Sequence, residues 1–209
     1  MNSSLHLHKL NGSGMKIGVL ALQGAFIEHE KMLRRLGVEA VEVRLPKDLD
    51  GVDGVIIPGG ESTTIGKLAV QYNLIEPLRE LAKSGKPLWG TCAGLIFMAK
   101  DVGRQQPLLG LMDVTVQRNA FGRQVDSFEA NINIKGVDGG QPFHAIFIRA
   151  PLIEAVGSGV EVLARVEKDD EEVIVAAQQG NLLVTSFHPE LSNDDRFHRY
   201  FVKMAGSKT

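Results

Sequence analysis

The chain has one cysteine in 209 residues. A single thiol excludes an internal disulfide and any zinc site built from several thiolates, and it fits a reducing compartment, which points to the cytoplasm. Charge of one sign is also missing. Lys plus Arg (23) nearly balance Asp plus Glu (25), and no basic stripe stands out, so a nucleic-acid surface is not expected. No apolar run approaches the roughly 20 residues that a membrane-spanning helix needs. The glycine-rich "GGEST" lacks the Lys-Ser/Thr ending of a phosphate-binding P-loop. What is present is an ordinary globular composition, 44% hydrophobic and 23% charged, at a length that suits one domain with a sizeable core.

The first fourteen residues, "MNSSLHLHKLNGSG", are polar and rich in Ser, Gly and Asn, and a second methionine, Met15, follows. We expect residues 1–14 to be a leader or tag outside the fold, with His6 and His8 not forming a functional metal site, and residues 15–209 to form one domain.

Beyond Met15, apolar runs alternate with amphipathic stretches. "MKIGVLAL", "EAVEVRL", "VDGVIIPGG" and "KPLWG" read as strands, the first and last buried on both faces. Between them, "IEHEKMLRRLG" has helical spacing with Ile27, Met32, Leu33 and Leu36 on one face. Thr63 to Ser84 reads as helical, with Pro77 placed to start a second helix, and "AGLIFMAK" reads as another helix. Strand-helix alternation of this kind predicts an α/β fold, a three-layer sandwich with a central, mostly parallel sheet flanked by helices. The second half alternates apolar and polar residues in shorter units, with "EKDDEE" as a charged hairpin tip, and predicts β-rich additions. The tail "DDRFHRYFVKMAG" places Phe197, Tyr200, Phe201 and Met204 at helical spacing for a closing helix.

The lone cysteine sits in "GTCAG", between a predicted strand and a predicted helix. Small residues at Gly90 and Gly94 match a nucleophile elbow, in which a sharp turn leaves no room for bulky neighbours. A helix N-terminus just beyond it favours thiolate and offers backbone N–H groups to an anion. A thiol nucleophile needs a base. His188 lies in "SFHPE", directly after the apolar strand "NLLVTSF", and Glu190 stands two residues on, where its carboxylate can orient one ring nitrogen while the other faces the thiol. His29 and His198 sit among charged neighbours and read as surface residues, or for His198 as helix packing; His144 has no assignment. "PGGEST" permits close backbone approach. Its Gly60 N–H, with the Ala93 N–H, can form an oxyanion hole, while Ser62 or Thr63 can cap a helix. "QGAF", at Gln23, is expected on the same sheet edge.

Together "GTCAGL", "HPE" and "PGGES" resemble the class I (triad) glutamine amidotransferases, a family with a flavodoxin-like core. "IGVLALQGAFIEH", "IIPGGESTTI", "QRNAFGRQVDSFEA" and "FIRAP" narrow the resemblance to the glutaminase subunits of pyridoxal 5′-phosphate synthase, the PdxT family, over essentially Met15 to Gly206. The resemblance implies a glutaminase in vitamin B6 biosynthesis that needs no cofactor and no metal, with Cys92, His188 and Glu190 as its triad. It implies glutamine contacts from Gly60, Glu61, Ser62, Arg118, Ile148 and Arg149. From residue chemistry alone the two arginines read as surface groups. It also implies a synthase partner, PdxS, in a heteromeric complex. Competing readings are the glutaminase of another triad amidotransferase, a γ-glutamyl peptidase, and a non-catalytic thiol-based binding module.

Overall fold

The computed structural model describes residues 14–117, 127–137, 140–168 and 170–207. Five parallel strands form one half of a ten-stranded sheet: β1 (Lys16–Leu20), β2 (Glu39–Val43), β3 (Gly54–Ile57), β4 (Leu88–Thr91) and, from the far end of the chain, β12 (Leu182–Thr185). Their order is β2-β1-β3-β4-β12. Every residue of β3, β4 and β12 is buried, as a strand covered on both faces must be. The sheet then turns antiparallel through β11 (Glu171–Gln179), β9 (Leu152–Val156) and β6 (Met112–Gln117), ends on the short β5 (Ala99–Asp101), and carries β10 (Glu161–Lys168) paired to β11. A separate two-stranded sheet joins β7 (Ser127–Ile132) to β8 (Phe143–Ile148).

Side chains alternate across the pleat, so the sheet feeds two cores. Val55 and Ile57 point to one, against α2 (Ser62–Gln71), α3 (Ile75–Lys83) and α4 (Ala93–Met98). Ile17, Val19, Ile56 and Trp89 point to the other, against α1 (Phe26–Arg35), α5 (Arg196–Gly206) and the β7–β8 hairpin. In this second core Trp89 lies 5.1 Å from Phe197 and 5.5 Å from Phe201, all three fully buried. Burial of each such ring stabilises the fold by about 2–3 kcal/mol relative to exposure. The predicted three-layer α/β sandwich is the observed one.

The details differ in places. The stretch from Thr63 to Ser84 holds the expected second helix, but it starts at Ile75, so that Pro77 falls in its first turn, and Asn73, at a positive φ of 57°, separates it from α2. The helix predicted through Lys100 stops at Met98, where Ala99 turns extended and opens β5. Ile27 does not join the buried face of α1: it is 47% exposed, and His29 takes its place beside Met32 and Leu33. The predicted closing helix is α5, with Phe197 and Phe201 in the core.

Candidate active site

The chain runs from β1 outward in both directions, to β2 on one side and β3 on the other. A crevice forms beyond the carboxyl ends of parallel strands at such a reversal. Four of these ends deliver the segments of interest: Gln23 after β1, Gly59 to Ser62 after β3, Cys92 after β4 and His188 after β12. Ile148 and Arg149 arrive from the end of β8. All of them line one cavity of about 490 Å³, together with Ala93 and Leu191.

Cys92 stands between β4 and α4 with φ 49° and ψ −105°. A non-glycine residue at positive φ is strained, and such strain is held only where the surroundings fix it. Here the Cys92 N–H donates to the Thr185 carbonyl at 2.8 Å, which pins the elbow to β12. The two flanking glycines are steric necessities. A Cβ on Gly90 would lie 2.5 Å from the Gly94 backbone, and one on Gly94 would collide with the Ile57 carbonyl oxygen. Cys92 is 8% exposed, enough to leave Sγ at the wall of the cavity, and Sγ lies 3.9 Å from the Ile148 carbonyl oxygen.

His188 precedes a short 3-10 helix, Pro189–Leu191, and its own N–H donates to Ile146 O at 2.8 Å. Its Nδ1 meets Glu190 Oε1 at 2.7 Å. Burial disfavours charge on this imidazole, but the neighbouring Cys92 thiol and the Glu190 carboxylate outweigh it and raise its pKa above the ordinary histidine value. Glu190 shows the complementary balance. Burial pushes its carboxyl up, while His29 and His188 pull it down further, so the net shift is downward. Imidazole and carboxylate are thus joined by a hydrogen bond, and the thiol lines the same cavity as the imidazole.

The opposite wall is the "PGGES" turn. A Cβ on Gly59 would come 2.5 Å from His188 Cε1, so only glycine lets this turn close over the base. Gln23 reaches across: its Oε1 accepts from the Glu61 N–H at 2.7 Å, and the Ala25 N–H donates to Gly59 O at 3.0 Å. Gly60, Glu61 and Ser62 all line the cavity. Glu61, rather than Ser62 or Thr63, is the cap of α2. Its carboxylate accepts from the Thr63 N–H at 3.0 Å and the Thr64 N–H at 2.7 Å. Ser62 is buried, with its Oγ 3.3 Å from Gln106 Nε2. Arg149 is exposed at the cavity with φ 44°. Arg118 lies outside the described residues, as do His6 and His8. His144 is exposed and pairs with Glu129 at 2.8 Å, on the β7–β8 hairpin.

One histidine departs from the sequence expectation. His29, read as a surface residue from its charged neighbours, is fully buried, and His198 is fully buried as well, as its helix-packing reading has it. Helical periodicity carried the signal: His29 shares its stripe with Met32 and Leu33, and His198 shares one with Phe201 and Val202. His29 Nδ1 lies 2.9 Å from His198 Nε2, and His29 Nε2 lies 3.4 Å from Glu190 Oε2. Burial lowers both pKa values to about 3, against the pull of Glu190 on His29, so both rings are neutral at pH 7. Among the described residues no group of three or more His, Cys, Asp or Glu could hold a metal ion. None of the described helices is long and apolar enough to cross a membrane.

Comparison with known proteins agrees with this geometry. Residues 19–207 match the SNO glutamine amidotransferase family. A relative from Herpetosiphon aurantiacus, named pyridoxal 5′-phosphate synthase subunit PdxT, is 60% identical over 90% of this chain and 99% of its own. A second of the same name, from Dehalococcoides mccartyi, is 59% identical over 91% of this chain and 97% of its own. Among solved structures, one described as a glutamine amidotransferase superposes with a TM-score of 0.85 at 50% identity, covering 91% of this chain and 99% of that one. The PurLQS structure from Thermotoga maritima shares the fold alone, at TM-score 0.69 and 17% identity, covering 91% of this chain and 98% of that one. A strained cysteine elbow joined to a His–Glu pair in an α/β sandwich, and a family match that spans both, lead to one assignment: the chain belongs to the SNO glutamine amidotransferase family.

Proposed function

We propose that the chain hydrolyses L-glutamine to L-glutamate and ammonia, with Cys92 as nucleophile, His188 as base and acid, and Glu190 as the group that orients His188. The observation that carries this reading is the Cys92 elbow, held at φ 49° in the wall of a cavity that His188 also lines, with His188 Nδ1 fixed by Glu190.

The Cys92 sulfur attacks the side-chain amide carbon of glutamine. The resulting oxyanion is held by the N–H groups of Gly60 and Ala93; loss of one such donor costs about 3 kcal/mol of transition-state stabilisation. His188 protonates the departing ammonia, which leaves a γ-glutamyl thioester on Cys92. Water, deprotonated by His188, then releases glutamate and restores the thiol. The raised pKa of His188 suits it to hold a proton before transfer. Glutamine carries a carboxylate and an ammonium at its far end. Arg149 and Arg118 suit the carboxylate, and the Ile148 carbonyl suits the ammonium, with Gly60, Glu61 and Ser62 along the chain.

Ammonia released at neutral pH becomes ammonium, a poor nucleophile, so a glutaminase of this kind serves a partner that captures ammonia first. The relatives' name, a subunit of pyridoxal 5′-phosphate synthase, supports a further synthase subunit as that partner; we propose PdxS in that place, the cytoplasm as the compartment, and residues 15–209 as one glutaminase domain. The test is ammonia release from glutamine by the wild type and by Cys92→Ala, with and without the synthase subunit. We expect activity that rises when the synthase is added and disappears in Cys92→Ala. Ammonia release at the wild-type rate from the variant would remove Cys92 from its role, and turnover unchanged by the synthase would remove the coupling.

A further inference from the structure

We propose that His29 is a positioning residue for the triad: its Nε2–H supplies the donor for the second carboxylate oxygen of Glu190, and His198 holds it in the tautomer that can do so. This rests on the glutaminase reading above.

Glu190 uses only half of its carboxylate on the base. Oε1 takes His188 Nδ1 at 2.7 Å, whereas Oε2 is buried and makes no hydrogen bond of ordinary geometry. A buried carboxylate oxygen without a donor is costly and leaves the side chain free to turn. The ring that faces it is His29, with Nε2 at 3.4 Å, delivered by the second turn of α1. A small ring rotation closes that gap. Thr91 Oγ1 lies 3.3 Å from the same nitrogen and tethers the ring to the strand that carries Cys92.

Tautomer counting fixes the direction of the proton. His198 Nδ1 is buried and has no partner. If His29 Nδ1 carried the proton and donated to His198 Nε2, two penalties would follow. His198 would bear its own proton on Nδ1, a buried N–H with nothing to accept it. His29 Nε2 would turn a lone pair toward the Glu190 carboxylate. In the other arrangement His198 Nε2–H donates to His29 Nδ1, and His29 Nε2–H faces both Thr91 Oγ1, at 3.3 Å, and Glu190 Oε2, at 3.4 Å. The only orphan left is a lone pair on His198, which costs less than an orphaned N–H. Both rings are neutral, so His29 gives Glu190 a hydrogen bond without a full positive charge, and the carboxylate's charge stays available to the His188 imidazolium.

The experiment compares His29→Leu, which removes the donor, with His29→Gln, whose amide N–H can reach the same oxygen. Both are measured for kcat, KM, urea stability and the rate of Cys92 alkylation by iodoacetamide at pH 7, in the complex with the synthase subunit. We expect His29→Leu to lower kcat roughly 10- to 100-fold, the effect of losing one hydrogen bond to a charged group. KM should change little, alkylation should slow, and His29→Gln should recover most of the loss. In a Glu190→Gln background His29→Leu should have no further effect on kcat. Wild-type kcat in folded His29→Leu, or equal kcat losses in Leu and Gln variants of equal stability, would overturn the proposal. Should His29→Leu fail to fold, His29→Asn, whose amide stops short of Glu190, takes its place under the same criteria. Alkylation needs no glutamine, so a failure of the glutaminase reading in Cys92→Ala is distinguishable from a failure of this one.

Discussion

At the scale of single residues, the site depends on atoms that are absent. Gly94 has no Cβ because the Ile57 carbonyl occupies that space, and Gly90 has none because the Gly94 backbone does. The neighbours are backbone, which cannot swing aside as a flexible side chain would. We expect Gly94→Ala to lower stability by about 1–3 kcal/mol, the usual cost of overpacking. Activity should fall by more than the lost folded fraction explains, because the elbow must shift to relieve the clash. Urea unfolding together with Cys92 alkylation would check both. An unchanged midpoint with a normal alkylation rate would show that the elbow yields without strain. The elbow and the His188–Glu190 pair were legible in the sequence because they are local patterns: five residues around Cys92 and five around His188. The partners of Glu190 were not legible in the same way. His29 stands 161 positions upstream, and its flanking glutamates suggested solvent. One of them, Glu30, is itself buried against Arg34, at 2.7 Å from the guanidinium.

At the scale of elements, the recurring device is a loop after a parallel strand, made firm by one long-range hydrogen bond. The turn after β3 shows how one side chain can organise both a helix and a site. Glu61 receives Thr63 and Thr64 N–H groups and the Thr64 hydroxyl, so α2 starts where the cavity wall ends. Burial would raise this carboxyl, and the hydrogen bonds from Thr64 and Thr63 more than reverse that, so its pKa is lowered. We expect Glu61→Ala to destabilise the chain by about 1 kcal/mol, as loss of a helix cap does. The variant should also raise KM for glutamine, since Glu61 lines the cavity proposed to hold it. A denaturation midpoint equal to wild type would remove the capping role. Strand and helix identities were mostly readable from periodicity, since β3, β4 and β12 are continuous apolar runs with short breaks between them. Boundaries were not. The helix after Cys92 is apolar at every position from Ala93 to Met98, so periodicity carries no information about where it ends. The strand β9, within "PLIEAVG", lies between longer strands and is held in the sheet by pairing with β6 and β11, which no local pattern announces.

At the scale of the whole molecule, the sheet separates two cores of unlike character, and the one behind the triad contains the two buried neutral histidines. This sets the acid limit of the fold. Both have folded pKa values near 3, against about 6.5 in an unfolded chain, because burial opposes their charge. Below pH 6.5 the unfolded state binds protons that the folded state refuses, so stability is present in full above that pH and is lost as pH falls toward 3. By linkage each histidine removes about 2 kcal/mol at pH 5, and unfolding at that pH takes up roughly two protons from this pair. Glu190 adds to the same slope at lower pH. Its folded pKa is depressed, so the stability it contributes is held above about 4.5 and lost as pH falls below it. A stability of 5–15 kcal/mol is typical for a domain, so the pair alone can remove a large fraction of it within two pH units. We therefore expect urea midpoints to fall steeply between pH 7 and 5. In His198→Phe, which keeps an aromatic ring against Trp89 and removes one titrating site, the slope over that range should drop by about half. A wild-type midpoint constant across the range would mean that the His29–His198 pair accepts a proton without unfolding, and the neutral-pair tautomer that feeds Glu190 would lose its support along with it.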